Sequence, residues 1–312
     1  MGKITIKGNY SELMKKALNN TEVKKCIVCD GIEGTIIDSH TVPQFILRNI
    51  SLTHEYKSSY QFELPDVENE KLGIKKSGIF RLICGTCDTE LFKTYETEKN
   101  YSIPCKEQRI LAEIALKNAL KKQYDLLLTL NLLEPGIEKH KEVKKVFDYY
   151  VSILYANDNE IQRIWDILES GLEDYKIIYK KYLNYKTPVA AQGHFPYARG
   201  FEETYKPNEC VIPWMNIAVL PFSNKTLVVL FTRNDNTIYE GWIKKFGEIS
   251  ENEKLDVIND MIFTELEDYF IDKDLMADDL LSLRLNDKTS MKEFFNRQIQ
   301  INNYLEETYK IQ

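Results

Sequence analysis

Four of the six cysteines in this 312-residue chain fall into two pairs, Cys26-x-x-Cys29 and Cys84-x-x-Cys87, while Cys105 and Cys210 stand alone. Chance would give about 0.1 such pairs in a chain of this composition, so their spacing is a signal. Two C-x-x-C turns can supply four thiolates to one tetrahedral ion, and a sulfur cage of that kind selects Zn²⁺. A redox dithiol of thioredoxin type would account for one pair only. Between and after the pairs lie residues with a different chemistry. His40 stands eleven positions past Cys29, and Asp88 directly follows Cys87. If one zinc ties the two turns together, an imidazole and a carboxylate are brought to one cleft. An imidazole can act as general base and a carboxylate can hold a hard cation.

Those side chains need elements to carry them. Gly34 to His40 (GTIIDSH) has the β-branched content of a strand, and Pro43 ends it because it cannot donate to a ladder. Ile79 to Ile83 predicts a second strand running into Cys84. Asp88 to Lys99 predicts a helix, with acids in its first turn and Leu91, Phe92 and Tyr95 three and four apart. Upstream, Ser11 to Asn19 predicts a short capped helix, and Phe45 to Ile50 a helical turn or two. The polar stretch from Ser51 to Lys76 is expected to be an insertion loop.

Cys26, Cys29, His40, Cys84, Cys87 and Asp88, in that order, resemble the HNH endonucleases, the ββα-metal superfamily built on a treble-clef zinc fold, in the endonuclease VII-like layout. The resemblance covers residues 20–100. It implies that Cys26, Cys29, Cys84 and Cys87 hold a structural Zn²⁺, that His40 is the general base, and that Asp88 is the helix ligand of a catalytic Mg²⁺ or Mn²⁺. The implied reaction is metal-dependent phosphodiester hydrolysis of DNA or RNA, in a plan shared with phage-defence and mobile-element nucleases. Two positions depart from the pattern. The family places Asp or His immediately before the base, where this chain has Ser39, with Asp38 one residue further back. Asp38 can serve as metal ligand only if a bulge re-aims it. The family's middle Asn has no counterpart in Lys75, Lys76, Ser77 and Gly78. Lys75, Lys76 and Arg81 flank the cleft and are candidates to hold a phosphate backbone. Glu96, two turns after Asp88, is a further carboxylate on nearly the same face, or a solvated one.

Two function classes remain open at this point: an HNH-type nuclease, and a catalytically inactive treble-clef zinc protein that binds nucleic acid or a protein partner. His40 favours the first. Ser39 and the missing Asn favour the second.

Beyond residue 100 the chain resembles no family of stated function. Lys106 to Leu133 predicts one long helix or two helices, closed by Glu134-Pro135-Gly136, which places a domain boundary there. The expected architecture is α+β: an HNH-like zinc module with a helical extension over 1–135, then a mixed α+β domain over 136–312 that senses, regulates, or binds a protein partner or a second copy. In that second half, Glu160 to Tyr175 reads as helix. Ile217 to Phe222 and Thr226 to Thr232 read as a hairpin of buried strands, and Asn252 to Phe270 as an amphipathic helix. His194 reads as a core histidine, and Cys105 and Cys210 as small buried thiols. Net charge is −7, and the imbalance is local, since residues 251–312 hold 7 basic against 15 acidic side chains. That argues against a uniform polyanion coat and confines any nucleic-acid contact to the first half. No segment has the length and hydrophobicity of a membrane span, and the N-terminus lacks an apolar leader, so a cytoplasmic protein with no membrane partner is expected.

Overall fold

The computed structural model describes residues 15–31, 34–51, 55–58, 72–73, 78–138, 141–196, 212–266 and 268–272. The chain is α+β, with seven α-helices and two sheets among the described residues. In chain order they are α1 (15–21), β1 (Ser39–His40), α2 (Gln44–Ile50), β2 (Glu55–Ser58), β3 (Leu72–Gly73), β4 (Ile79–Phe80) and α3 (Gly85–Phe92). There follow α4 (Glu107–Leu133), α5 (Lys141–Ser170), β5 (Tyr175–Leu183), β6 (Val189–Pro196), β7 (Trp214–Pro221), β8 (Thr226–Arg233), α6 (Glu240–Glu248), α7 (Glu251–Glu265) and β9 (Tyr269–Asp272).

These elements sort into two compact units whose boundaries differ from the expected break near residue 136. The first takes the described residues up to Thr41 together with Ile79–Asp174, and the second takes Val42–Gly78 and most of the chain from Tyr175. Pro135 does end a helix, but it does not end a unit. The 3₁₀ turn Glu134–Gly136 only reverses the chain, and α5 then packs back along α4. Asn157 Nδ2 donates to Ala119 O at 3.0 Å and to Gln123 Oε1 at 2.8 Å, and Arg109 Nη1 donates to Leu168 O at 2.9 Å. The helix expected from Glu160 therefore begins at Lys141 and ends at Ser170, before the left-handed Gly171 (φ 70°).

In the first unit, β1 and β4 form a two-stranded antiparallel ladder with Ser39 opposite Phe80 and His40 opposite Ile79. Only the last two residues of GTIIDSH are strand, and an isolated bridge from Ile36 to Cys84 extends the pairing. Strand β4 leads through Cys84 into α3. That helix starts earlier than expected, at Gly85, and stops at Phe92.

Between β1 and β4, α2 agrees with the helical turns expected over Phe45 to Ile50, whereas the stretch expected to be an insertion loop contributes the described strands β2 and β3 to the second unit. There a seven-stranded antiparallel sheet runs in the order β3-β2-β9-β6-β7-β8-β5. The expected hairpin is its centre. Every residue of β7 and β8 is buried, as near-continuous apolar runs such as Thr226–Arg233 (TLVVLFTR) require of a strand covered on both faces. Val219, Leu230, Tyr239, Phe246, Ile258, Met261 and Ile262 belong to one core built from this sheet, α6 and α7. Helix α7 opens with a complete capping box, Ser250 to Glu253, and the segment after it turns into strand β9 rather than continuing as helix to Phe270. Gly78 (φ 58°) must be glycine, since a Cβ there would lie 2.5 Å from Phe270 Cζ.

Candidate metal centre and the adjoining cluster

The two C-x-x-C turns meet. The ligand atoms of Cys26, Cys29, Cys84 and Cys87 lie within 4.8 Å of one another, a group that can hold a metal ion. Cys29 Sγ is 3.8 Å from Cys84 Sγ. A tetrahedral ion with sulfur at about 2.3 Å requires sulfur–sulfur edges of about 3.8 Å, so the donor set fits Zn²⁺. The first turn gets its shape from Asp30 (φ 51°) and Gly31 (φ 81°), two successive left-handed residues that fold the chain back after Cys29. The second turn opens α3, and the Cys84 backbone N–H donates to Cys26 Sγ at 3.3 Å. Burial, and then hydrogen bonding among the clustered thiols, push the Cys87 thiol far above its usual range. A bound cation would displace the Cys87 proton that this raised value retains. Of the other cysteines, Cys105 is exposed rather than buried, and Cys210 lies outside the described residues.

Asp88 sits in the first turn of α3, with its backbone N–H bonded to Cys84 O at 2.9 Å. Strand alternation separates the two residues before His40. Ser39 turns inward and donates its hydroxyl to Asp88 Oδ1, whereas Asp38 turns the other way and pairs with Arg81 Nε at 3.4 Å. No bulge re-aims Asp38, so the geometry does not make it a partner of Asp88 at a cation. Arg81 also pairs with Glu22, so two carboxylates already engage this candidate phosphate contact. Lys75 and Lys76 lie outside the described residues. His40 stands at the end of β1 and is nearly buried.

The centre of the cluster is a residue absent from the sequence reading. Lys117, on α4, is fully buried, with its Nζ 2.8 Å from Asp88 Oδ1, 3.1 Å from Ser39 Oγ and 3.1 Å from Glu96 Oε1. The Phe92 ring lies under the same nitrogen, 3.7 Å from centroid to Nζ, which adds a cation–π contact. Glu96 is therefore drawn into the cluster rather than fully solvated. Burial holds its carboxyl above the ordinary value, while the Lys117 charge opposes that shift. One turn earlier on α4, the fully buried Glu113 accepts from the Tyr95 backbone N–H at 2.7 Å and pairs with Arg109 at 2.7 Å, which fixes the turn carrying Glu96. The i, i+4 spacing of Arg109, Glu113 and Lys117 on an otherwise apolar helix face was the available sequence signal, but spacing alone does not reveal which distant side chains such a face meets.

His194 is a nearly buried residue of β6, stacked on Trp214 at 4.1 Å, in keeping with a core histidine. No described helix is long and apolar enough to cross a membrane. No family model, curated protein or solved structure matches the chain.

Proposed function

We propose that residues 26–41 and 79–117 form a zinc-stapled treble-clef module of the HNH plan that binds nucleic acid, the target this plan implies, without hydrolysing it. The observation that carries this reading is the position of the Lys117 ammonium. The HNH plan places its catalytic cation between the residue before the base and a ligand at the head of the helix, here Ser39 and Asp88 in the first turn of α3. Lys117 Nζ lies within 3.1 Å of the former and 2.8 Å of the latter, so a charge of the chain's own stands where a Mg²⁺ or Mn²⁺ would have to bind. In this reading Cys26, Cys29, Cys84 and Cys87 hold Zn²⁺, which serves to fold the module. No step of hydrolysis is assigned to His40.

A second reading, divalent-dependent phosphodiester hydrolysis with His40 as base, is favoured by the convergence of Asp88 and Glu96 on one point. Those two carboxylates could serve together where Asp38 cannot. One experiment separates the readings. Zinc-loaded protein is incubated with duplex DNA, single-stranded DNA and RNA in Mg²⁺ or Mn²⁺. Retarded migration without product is expected. Cleavage that is stopped by EDTA and lost in His40→Ala would overturn the binding reading in favour of the nuclease. Absence of both binding and cleavage would leave the protein-partner alternative.

A further inference from the structure

An ammonium has three N–H donors, and at Lys117 three oxygens are placed to take them: Asp88 Oδ1 at 2.8 Å, Ser39 Oγ at 3.1 Å and Glu96 Oε1 at 3.1 Å. They come from three different places in the chain, the end of β1, the first turn of α3 and the turn after α3, and all belong to the first unit. Two carboxylates and a hydroxyl are hard oxygen donors of the kind that bind Ca²⁺ and Mn²⁺. What they surround is a cation position, and the cation that shows this is the lysine itself. Exposure rises outward from it, from 0% for the Lys117 side chain to 15% for Asp88 and 36% for Glu96, so the two carboxylate side chains are partly exposed while the ammonium and Ser39 are buried.

We infer that Asp88, Glu96 and Ser39 form a latent divalent-cation site that Lys117 keeps closed by filling it with its own ammonium. The inference rests on the proposed reading that the lysine stands in the cation position, and extends it by naming a ligand set that includes Glu96 and excludes Asp38. Removing the lysine charge leaves two carboxylates facing one another without compensation, and a divalent ion neutralises both. Size selects the ion. Ammonium-to-oxygen distances of 2.8–3.1 Å exceed Ca²⁺–O distances of about 2.3–2.6 Å by roughly 0.5 Å, and Mg²⁺–O distances of about 2.0–2.1 Å by roughly 1 Å. The partly exposed Glu96 can take up the smaller movement. Larger divalent ions are therefore favoured over Mg²⁺.

Mn²⁺ is the probe, followed by the loss of its free-ion electron paramagnetic resonance signal in zinc-loaded full-length protein. Wild type should leave Mn²⁺ free. Lys117→Met keeps an apolar stem and vacates the ammonium position, and should take up about one Mn²⁺ per chain, at least about tenfold more tightly than wild type. Adding Asp88→Asn to that variant should abolish the uptake. A folded, zinc-loaded Lys117→Met that leaves Mn²⁺ free overturns the inference and leaves the non-hydrolytic reading standing. If Lys117→Met folds poorly alone, Mn²⁺ should raise its Tm, and no rise would overturn the inference equally. Uptake by wild type that is lost in Asp88→Asn would overturn both the inference and the reading beneath it, because the site would then already be open.

Discussion

The two units of this protein are held together by different physics. Among the described residues, the cysteine-cluster unit buries charge: Glu113, Lys117 and Glu160 are all nearly or wholly withdrawn from solvent. The sheet unit buries aliphatic and aromatic side chains. Among its described residues the buried polar groups are almost all neutral, and the one buried charge, Arg233, lies at the end of β8 beside Asp235. Hydrophobic residues of similar volume would often stabilise a core as well as a buried ion pair does, so a lysine wholly withdrawn from water among two carboxylates is poorly explained by stability alone. The difference teaches where to look for function. The sheet unit is arranged for burial, and the cysteine-cluster unit spends part of its core on a cluster of charges set beside four sulfurs that can hold a metal.

The contrast can be broken most severely at the cage. Cys84→Ser should abolish metal binding and leave the cysteine-cluster unit without its cooperative fold, because metal binding and folding are coupled in small thiolate modules. The sheet unit, whose core contains no cysteine among its described residues, should persist. Metal content and limited proteolysis of the same sample test this, and simultaneous loss of both units would erase the distinction. The converse lesion is Ile258→Ala, a wholly buried core position of α7. It should cost about 2–5 kcal/mol in denaturant unfolding while the metal content stays at the wild-type value. A third and smaller effect is expected at Gly78→Ala, which adds left-handed strain and a Cβ 2.5 Å from Phe270 Cζ. A loss of about 1–3 kcal/mol is expected, read as a fall in Tm, and an unchanged Tm would mean that the ring moves aside at no cost.

The smallest expected effect concerns charge in the cysteine-cluster unit. Burial raises the Glu96 pKa above its unfolded value, so the folded state holds a proton more tightly than the unfolded chain does. Its contribution is complete below the ordinary carboxylate pKa and is lost as the pH rises through the raised value. Stability should therefore decline over that interval, and Glu96→Gln should flatten the decline. A Tm-against-pH curve with the same slope in both proteins would show that the Lys117 charge fully offsets burial in solution.

Much of the metal centre was legible in the sequence. The two C-x-x-C pairs, the place of Ser39 and His40 at a strand end, and Asp88 at the head of a helix are local facts, set by spacings of a few residues and by strand and helix periodicity. The buried β7–β8 hairpin was legible for the same reason, since its two apolar runs flank a short turn at Ser223, Asn224 and Lys225. Even the orientation of Asp38 away from Ser39 follows from the two-residue period of a strand.

Only the tertiary structure decided what lies far apart in the chain. It assigned the residues between β1 and β4 to the sheet unit, because β2 and β3 pair into its sheet where the sequence showed only a polar loop pattern. It moved the boundary past α5, because a proline turn that breaks a helix says nothing about whether the next helix packs back on the first. Above all it brought Lys117 to Asp88 and Glu96. A lone lysine on a helix carries no local mark of burial. Its partners are chosen by the packing of α4 against β4, which carries Lys117 to Asp88 and Ser39, and that packing depends on the whole unit at once rather than on any spacing along the chain.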